Sequence, residues 1–228
     1  WNALIAGYAQ GEQGHQALDC FARMQKEGLS PDDVTFTCIL KACGNVGSID
    51  KGKEIHEEIV NQDLLKKNTV LSNALVDMYA KCGLLSHAWQ LLEELPVRDR
   101  ISWNAIITAY AEDGRCDEAF NCYSQMVREG ITPNEVTFAC ILKACGCTGA
   151  IDKGKQIHHE IVNRGLLKNN MLGTALVDMY AKCGNLKKAH EVLRELPERN
   201  VVSWNALISG YSQNEQGHEA LNCFECMQ

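Results

Sequence analysis

The run Ala74-Leu75-Val76-Asp77-Met78-Tyr79-Ala80-Lys81-Cys82-Gly83 occurs twice, returning at Ala175 to Gly184, 101 positions later. Two other landmarks keep almost the same step. Trp1-Asn2-Ala3 recurs as Trp103-Asn104-Ala105 and Trp204-Asn205-Ala206, and Cys38-Ile39-Leu40-Lys41-Ala42-Cys43-Gly44 recurs from Cys140 to Gly146. A period this long and regular restricts the chain to a tandem array, in which each unit completes its core only against its neighbours. Any shorter motif has to be judged as part of that repeat.

Each unit of about 101 residues divides into three helix pairs. In the stretch 100–134, Trp103, Ile106, Ile107 and Tyr110 follow the i, i+3, i+4, i+7 spacing of one apolar helix face. Ser102 stands before that run as the expected N-cap. Gly114 allows a turn, Ala119, Phe120, Tyr123 and Met126 mark a second amphipathic helix, and Gly130 and Pro133 end it. A second kind of pair occupies 33–68 and 135–169, with Phe36, Ile39, Leu40 and Cys43 on its first helix and Ile55 and Ile59 on its second. A shorter third kind occupies 69–99 and 170–200, with Leu75, Val76 and Tyr79 facing Ala88, Leu91, Leu92 and Leu95, closed by Pro96 and Pro197. The partial units 1–32 and 201–228 are of the first kind. Stacking such pairs predicts an all-α solenoid with one extended concave surface, and the lack of strand alternation excludes a parallel sheet.

Composition narrows the function. With 4 prolines and 46% hydrophobic residues, the chain is not disordered. No uncharged apolar run approaches about 18 residues, so no membrane-spanning helix is expected. Trp1 and Gln228 both fall inside a repeat, so the chain reads as part of a longer array, and the lack of a targeting segment at its start carries no information. The net charge of −7 is unfavourable for binding a phosphate backbone. Most of the 12 cysteines recur in register, as Cys38 with Cys140, Cys43 with Cys145, Cys82 with Cys183, and Cys20 with Cys122 and Cys223. At helical spacing among apolar residues, they read as reduced core thiols rather than a disulfide framework.

The run Val201-Val202-Ser203-Trp204-Asn205-Ala206-Leu207-Ile208-Ser209-Gly210-Tyr211 resembles the pentatricopeptide repeat family, in its plant-type arrays of alternating P, L and S motifs. Leu142-Lys143-Ala144-Cys145-Gly146, Gly154-Lys155-Gln156-Ile157-His158 and Tyr79-Ala80-Lys81-Cys82-Gly83 carry the same resemblance, and so do unit lengths of 35 (100–134), 35 (135–169) and 31 (170–200). It covers the whole chain. The resemblance implies a right-handed superhelix that binds single-stranded RNA, about one base per repeat. It implies the targeting module of an RNA-processing factor in mitochondrion or chloroplast, acting in cytidine-to-uridine editing with protein editing cofactors as partners, and no cofactor or membrane. The competing reading is a protein-binding scaffold of tetratricopeptide type, whose pattern has Trp, then Leu-Gly, then Tyr; after Trp103 this chain has Asn-Ala-Ile-Ile instead.

The same resemblance assigns base reading to the fifth and last residues of each repeat. These are Asn2 with Asp32, Thr37 with Asn68, Asn73 with Asp99, Asn104 with Asn134, Ala139 with Asn169, and Thr174 with Asn200, while the counterpart of Asn205 falls after Gln228. By the family's code, Asn with Asp resembles a uracil reader, Asn with Asn a cytosine or pyrimidine reader, and Thr with Asn an adenine reader. The implied target is 5′-U-(A)-U-C-N-A-3′, with Ala139 non-selective because a methyl group cannot hydrogen-bond a base. Val34, Val70, Ile101, Val136, Met171 and Val202, the second residues, would sandwich the bases, and Lys81 and Lys182 would contact phosphate. Each role has a bland counterpart: capping for the polar residues, inter-repeat packing for the apolar ones, and helix-dipole complementarity for the lysines.

Other motifs fail on context. Gly47 … Gly52-Lys53 and Gly149 … Gly154-Lys155 have phosphate-loop spacing, but Glu54 or Gln156 follows where Ser or Thr is needed. Their glycines are expected at the turn between helices. Cys223 and Cys226 have no second ligand pair, and His56, His158 and His159 read as structural. No acid, base or nucleophile stands outside the repeat, so no enzyme is expected.

Overall fold

The structure, a computed structural model, describes residues 1–11, 13–65 and 68–227. Those residues form two compact units, Trp1–Ala109 and Tyr110–Gln228, built on one plan. The first contains α1 (Asn2–Gln10), α2 (Gly14–Lys26), α3 (Asp33–Val46), α4 (Ile49–Asn61), α5 (Thr69–Lys81), α6 (Leu85–Glu94) and most of α7 (Arg100–Glu112). The second contains α8 (Cys116–Arg128), α9 (Glu135–Thr148), α10 (Ile151–Asn163), a single 3-10 turn (Leu166–Lys168), α11 (Asn170–Lys182), α12 (Leu186–Glu195), α13 (Val201–Gln213) and α14 (Gly217–Met227). No strand occurs among the described residues.

The packing follows from the apolar stripes. In the first unit α1, α3 and α5 lie side by side, and α2, α4 and α6 pack on them as a second layer. In the second, α9, α11 and α13 form the first layer and α8, α10, α12 and α14 the other. Phe36, Ile39, Leu40 and Cys43 on α3 have no exposed surface, nor do Leu75 and Val76 on α5 or their counterparts Leu176 and Val177 on α11. Each such large side chain contributes about 1.5–3 kcal/mol by leaving water.

Gly47 and Gly149 end α3 and α9 in the left-handed region, at φ 70° and 69°, where a side chain would be strained. Gly52 and Gly154 are a correction to the sequence reading, because they lie inside α4 and α10 rather than at a turn. A Cβ at Gly52 would stand 2.6 Å from Met78 Sδ, and one at Gly154 would stand 2.5 Å from Met179 Sδ. These glycines allow close approach of the next helix pair, which accounts for the Gly-Lys spacing without any phosphate.

Polar groups also join successive pairs. His56 Nδ1 lies 2.9 Å from the Tyr79 hydroxyl, His158 Nδ1 2.9 Å from that of Tyr180, and His190 Nδ1 3.3 Å from that of Tyr211. Burial lowers the pKa of all three imidazoles and raises that of all three phenols, so both partners are neutral. All twelve cysteines are free thiols. Cys20, Cys43, Cys116, Cys122, Cys145 and Cys223 are buried, but Cys38, Cys82, Cys140 and Cys183 are half-buried, and Cys147 and Cys226 are exposed. The core reading therefore holds for only part of the set.

Candidate nucleic-acid interface

A helix leaves its first amides without internal partners, and side-chain oxygens usually supply them. Six helices, α3, α5, α7, α9, α11 and α13, begin this way, and the residues responsible are the six last-position residues singled out in the sequence. Asp32 Oδ1 accepts from the Thr35 amide at 2.8 Å, and Asn68 Oδ1 from Leu71 at 3.1 Å. Asp99 Oδ1 accepts from Ile101 at 2.8 Å and Ser102 at 3.0 Å, and Asn134 Oδ1 from Thr137 at 3.2 Å. Asn169 Oδ1 accepts from Met171 at 3.0 Å and Leu172 at 3.3 Å, and Asn200 Oδ1 from Ser203 at 2.8 Å. Ser102 is not the cap that its position suggests. It lies inside α7, and its hydroxyl accepts from the Asp99 amide at 3.1 Å to close the box.

Capping has a chemical consequence. Each cap uses Oδ1, so an Asp keeps a second carboxylate oxygen as acceptor, whereas an Asn keeps an amide nitrogen as donor. The Thr35 amide and hydroxyl, with help from Asn2, hold the Asp32 pKa below the ordinary carboxylate value. That carboxylate is an acceptor throughout the neutral range.

Two of the fifth-position residues meet these caps directly. Asn2 Nδ2 donates to Asp32 Oδ1 at 3.0 Å and Oδ2 at 2.9 Å, and Asn2 Oδ1 accepts from the Thr35 hydroxyl at 2.6 Å. Asn73 Nδ2 donates to Asp99 Oδ2 at 2.9 Å. Residues 30 and 26 positions apart in sequence are thus brought to one point. The Thr37 repeat is different: its hydroxyl donates to the Asp33 carbonyl at 2.7 Å, while Asn68 Nδ2 donates to Asp33 Oδ2 at 2.9 Å. Asp33, a residue the sequence reading passed over, stands between the two. Thr174 Oγ1 is buried with no hydrogen-bond partner among the described residues. Asn104 and Ala139 are half-buried, and Asn205 is exposed.

The second-position residues lie on the helix surface three residues before the fifth, hence beside it. All six are exposed: Val34, Val70, Ile101, Val136, Met171 and Val202 range from 43% for Val136 to 64% for Ile101. Packing between repeats does not require such exposure. Lys81 and Lys182 close α5 and α11, paired with Asp77 and Asp178 one turn earlier at 2.8 Å each. Lys41 and Lys143 were given no role from sequence. Four residues after Thr37 and Ala139, they are exposed on the same helix face and add two cations to it. Their recurrence within the Leu-Lys-Ala-Cys-Gly run is the signal that marks them.

No group of three or more His, Cys, Asp or Glu side chains among the described residues is placed to hold a metal, and no described helix is long and apolar enough to cross a membrane. Comparisons with known proteins agree on one family. The model described as "PPR repeat family" matches residues 1–45 and 98–147, and that described as "PPR repeat" matches 34–64, 70–99, 174–201 and 202–228. The Arabidopsis thaliana pentatricopeptide repeat-containing protein At3g09040, mitochondrial, is 42% identical over 100% of this chain and 22% of its own length. The Arabidopsis thaliana pentatricopeptide repeat-containing protein At4g33170 is 36% identical over 100% of this chain and 23% of its length. The chain therefore spans less than a quarter of these relatives. Among solved structures, the pentatricopeptide repeat protein PPR10 in complex with an 18-nt psaJ RNA element superposes with a TM-score of 0.83 at 22% identity, covering 99% of this chain and 34% of that one. The PPR domain of Arabidopsis thaliana protein-only RNase P 1 in complex with tRNA gives 0.58 at 14% identity, covering 76% of this chain and 95% of that one. Both likenesses show the shared helical-repeat fold.

Proposed function

Because the chain belongs to the pentatricopeptide repeat family, we propose that it binds single-stranded RNA, reading about one base per repeat, as the targeting module of an organellar RNA-processing factor. The observation that carries this reading is the meeting of fifth and last residues beside an exposed apolar side chain, as at Asn73, Asp99 and Val70. An apolar wedge covers a base face, and two polar groups within reach of one base edge select it.

Base chemistry supports the assignments. The Watson–Crick edge of uracil presents an N–H donor at N3, which suits a second lone pair on a carboxylate oxygen of Asp32 or Asp99. Cytosine and adenine present a ring-nitrogen acceptor there, which suits a side-chain amide N–H of Asn134 or Asn200. Repeats taken as P (1–32, 100–134 and 201–228), L (33–68 and 135–169) and S (69–99 and 170–200) then read 5′-U-(A)-U-C-N-A-3′. The hydroxyl of Thr174, which has no hydrogen-bond partner among the described residues, stands in the repeat assigned to adenine. The base opposite Thr37 is bracketed because the middle motif of each triplet is a poor reader in the family, and the engagement of that hydroxyl and Asn68 with Asp33 supports this. The wider role is recognition of a cytidine-to-uridine editing site in an organelle, together with protein cofactors, with the deamination assigned to residues outside these 228.

Fluorescence anisotropy against the target RNA, and against a version with uracil and adenine exchanged, tests the reading. Preference for the first supports it; equal binding to both refutes the code, and no binding to either favours a protein partner. The double substitution Asn73→Thr with Asp99→Asn is expected to move that repeat's preference from uracil to adenine.

A further inference from the structure

The thiols of Cys116 and Cys147 are not part of the repeat. The equivalent positions one period earlier hold Gly14 and Asn45, so both cysteines are peculiar to the second period. Cys116 is the first residue of α8 and Cys147 the penultimate residue of α9, and the two helices pack against each other. The corresponding contact in the first unit shows how closely such helices approach there: a Cβ at Gly14 would stand 3.1 Å from the Ala42 carbonyl oxygen, and Ala42 is the counterpart of Ala144, three residues before Cys147. We propose that Cys116 and Cys147 form a thiol modification site, which exchange with glutathione disulfide converts to an intramolecular disulfide joining α8 to α9.

The two sulfurs differ in accessibility in the way this exchange requires. Cys147 is exposed, whereas Cys116 retains 4% of its surface. Burial raises the Cys116 pKa most, and the adjacent Cys147 adds to it by charge and by side-chain hydrogen bonding, which keeps the inner thiol protonated at rest. In the first step the Cys147 thiolate attacks glutathione disulfide, forming a mixed disulfide and releasing one glutathione thiolate. In the second, Cys116 gives up its proton and attacks the Cys147 sulfur, releasing the second glutathione. Two protein thiols are oxidised by two electrons, and one glutathione disulfide is reduced to two thiols.

The buried core cysteines are poorly placed to compete. Burial pushes Cys43, Cys122 and Cys145 up to about 12, so their thiolate fraction at neutral pH is negligible. Cys147 is also the thirteenth residue of α9, the place occupied by Lys81 on α5 and Lys182 on α11. The link therefore forms at the level of the candidate phosphate contacts, although its chemistry does not depend on RNA.

Oxidation of the 228-residue chain with glutathione disulfide, followed by acid trapping, alkylation and peptide mass mapping, tests the site. The expected product is a disulfide between residues 116 and 147, with the buried thiols alkylated only after unfolding. Cys147→Ser abolishes the link and takes up no glutathione at that position; Cys116→Ser abolishes the link but retains one glutathione on Cys147. Because Cys147 is exposed, its substitution cannot fail by misfolding. A wild-type chain that stops at glutathionylated Cys147, or a link that survives either substitution, would overturn the proposal.

Discussion

Asp99 carries two interactions that substitutions can separate. Replacement by Ala removes the cap of α7, a loss of about 0.5–2 kcal/mol. It also strips the partner from Asn73, a residue only 6% exposed, for about 1 kcal/mol more. The sum is about 1.5–3 kcal/mol. Replacement by Asn keeps an Oδ1 for the Ile101 and Ser102 amides, loses the charge at the helix start, about 0.3–1 kcal/mol, and keeps the Asn73 contact only if the Asn73 amide turns its Oδ1 towards the new Nδ2. Helical arrays open segment by segment, so the measurement should be local. Hydrogen exchange at Ile101 and Ser102 reads the start of α7, and every 1.4 kcal/mol appears as about tenfold faster exchange. Buried Trp103, whose ring centroid lies 6.0 Å from that of Trp89, gives a fluorescence signal from the same place during urea unfolding. Asp99→Ala should exchange about tenfold faster than Asp99→Asn, the middle of these ranges. Equal losses in the two variants, or none in the alanine variant, would refute the capping argument.

The remaining predictions concern the exposed face and the buried imidazoles. Val70→Ala and Val202→Ala remove surface methyl groups, so stability should change by less than about 0.5 kcal/mol while RNA affinity falls about fivefold each; unchanged affinity in anisotropy titrations would refute the wedge role. Lys81→Ala with Lys182→Ala should reduce the slope of log affinity against log salt by about 1.4, or about 0.7 per phosphate contact, and an unaltered slope would leave both lysines with only their helix ion pairs. His158 is held below the ordinary imidazole value of 6.5, first by burial and then by Lys188. The unfolded chain therefore takes up the proton first, so the contribution of His158 is complete above about pH 6.5 and declines as pH falls below it. His158→Gln should flatten that decline in melting curves taken between about pH 5 and 7, and an identical pH profile would refute the assignment.

The helix pairs were legible because burial imposes a period, and Phe36, Ile39, Leu40 and Cys43 display it directly. The candidate site was legible only as positions. The Asn73–Asp99 contact spans 26 residues and depends on two helices closing between them, which no local pattern encodes. Ser102 misled for a related reason: Ser and Asp both cap, and only the backbone at Asp99 decides which of them stands outside the helix. Gly52 and Gly154 read as turn glycines because the methionine that each accommodates lies one repeat further on. The exposure of Val34 and Val70 is equally invisible locally, since a valine beside a core stripe looks like part of it.

The double duty of the last residue has a genetic consequence. Asp and Asn codons differ by a single purine in the first position, and both residues cap a helix about equally well. One transition mutation at the codon for Asp99 or Asn200 therefore changes the atom presented to the ligand from acceptor to donor, or the reverse, at little cost in folding. A duplicated array of this kind can be redirected to a new target by silent steps as far as the scaffold is concerned, with selection acting only on what is bound.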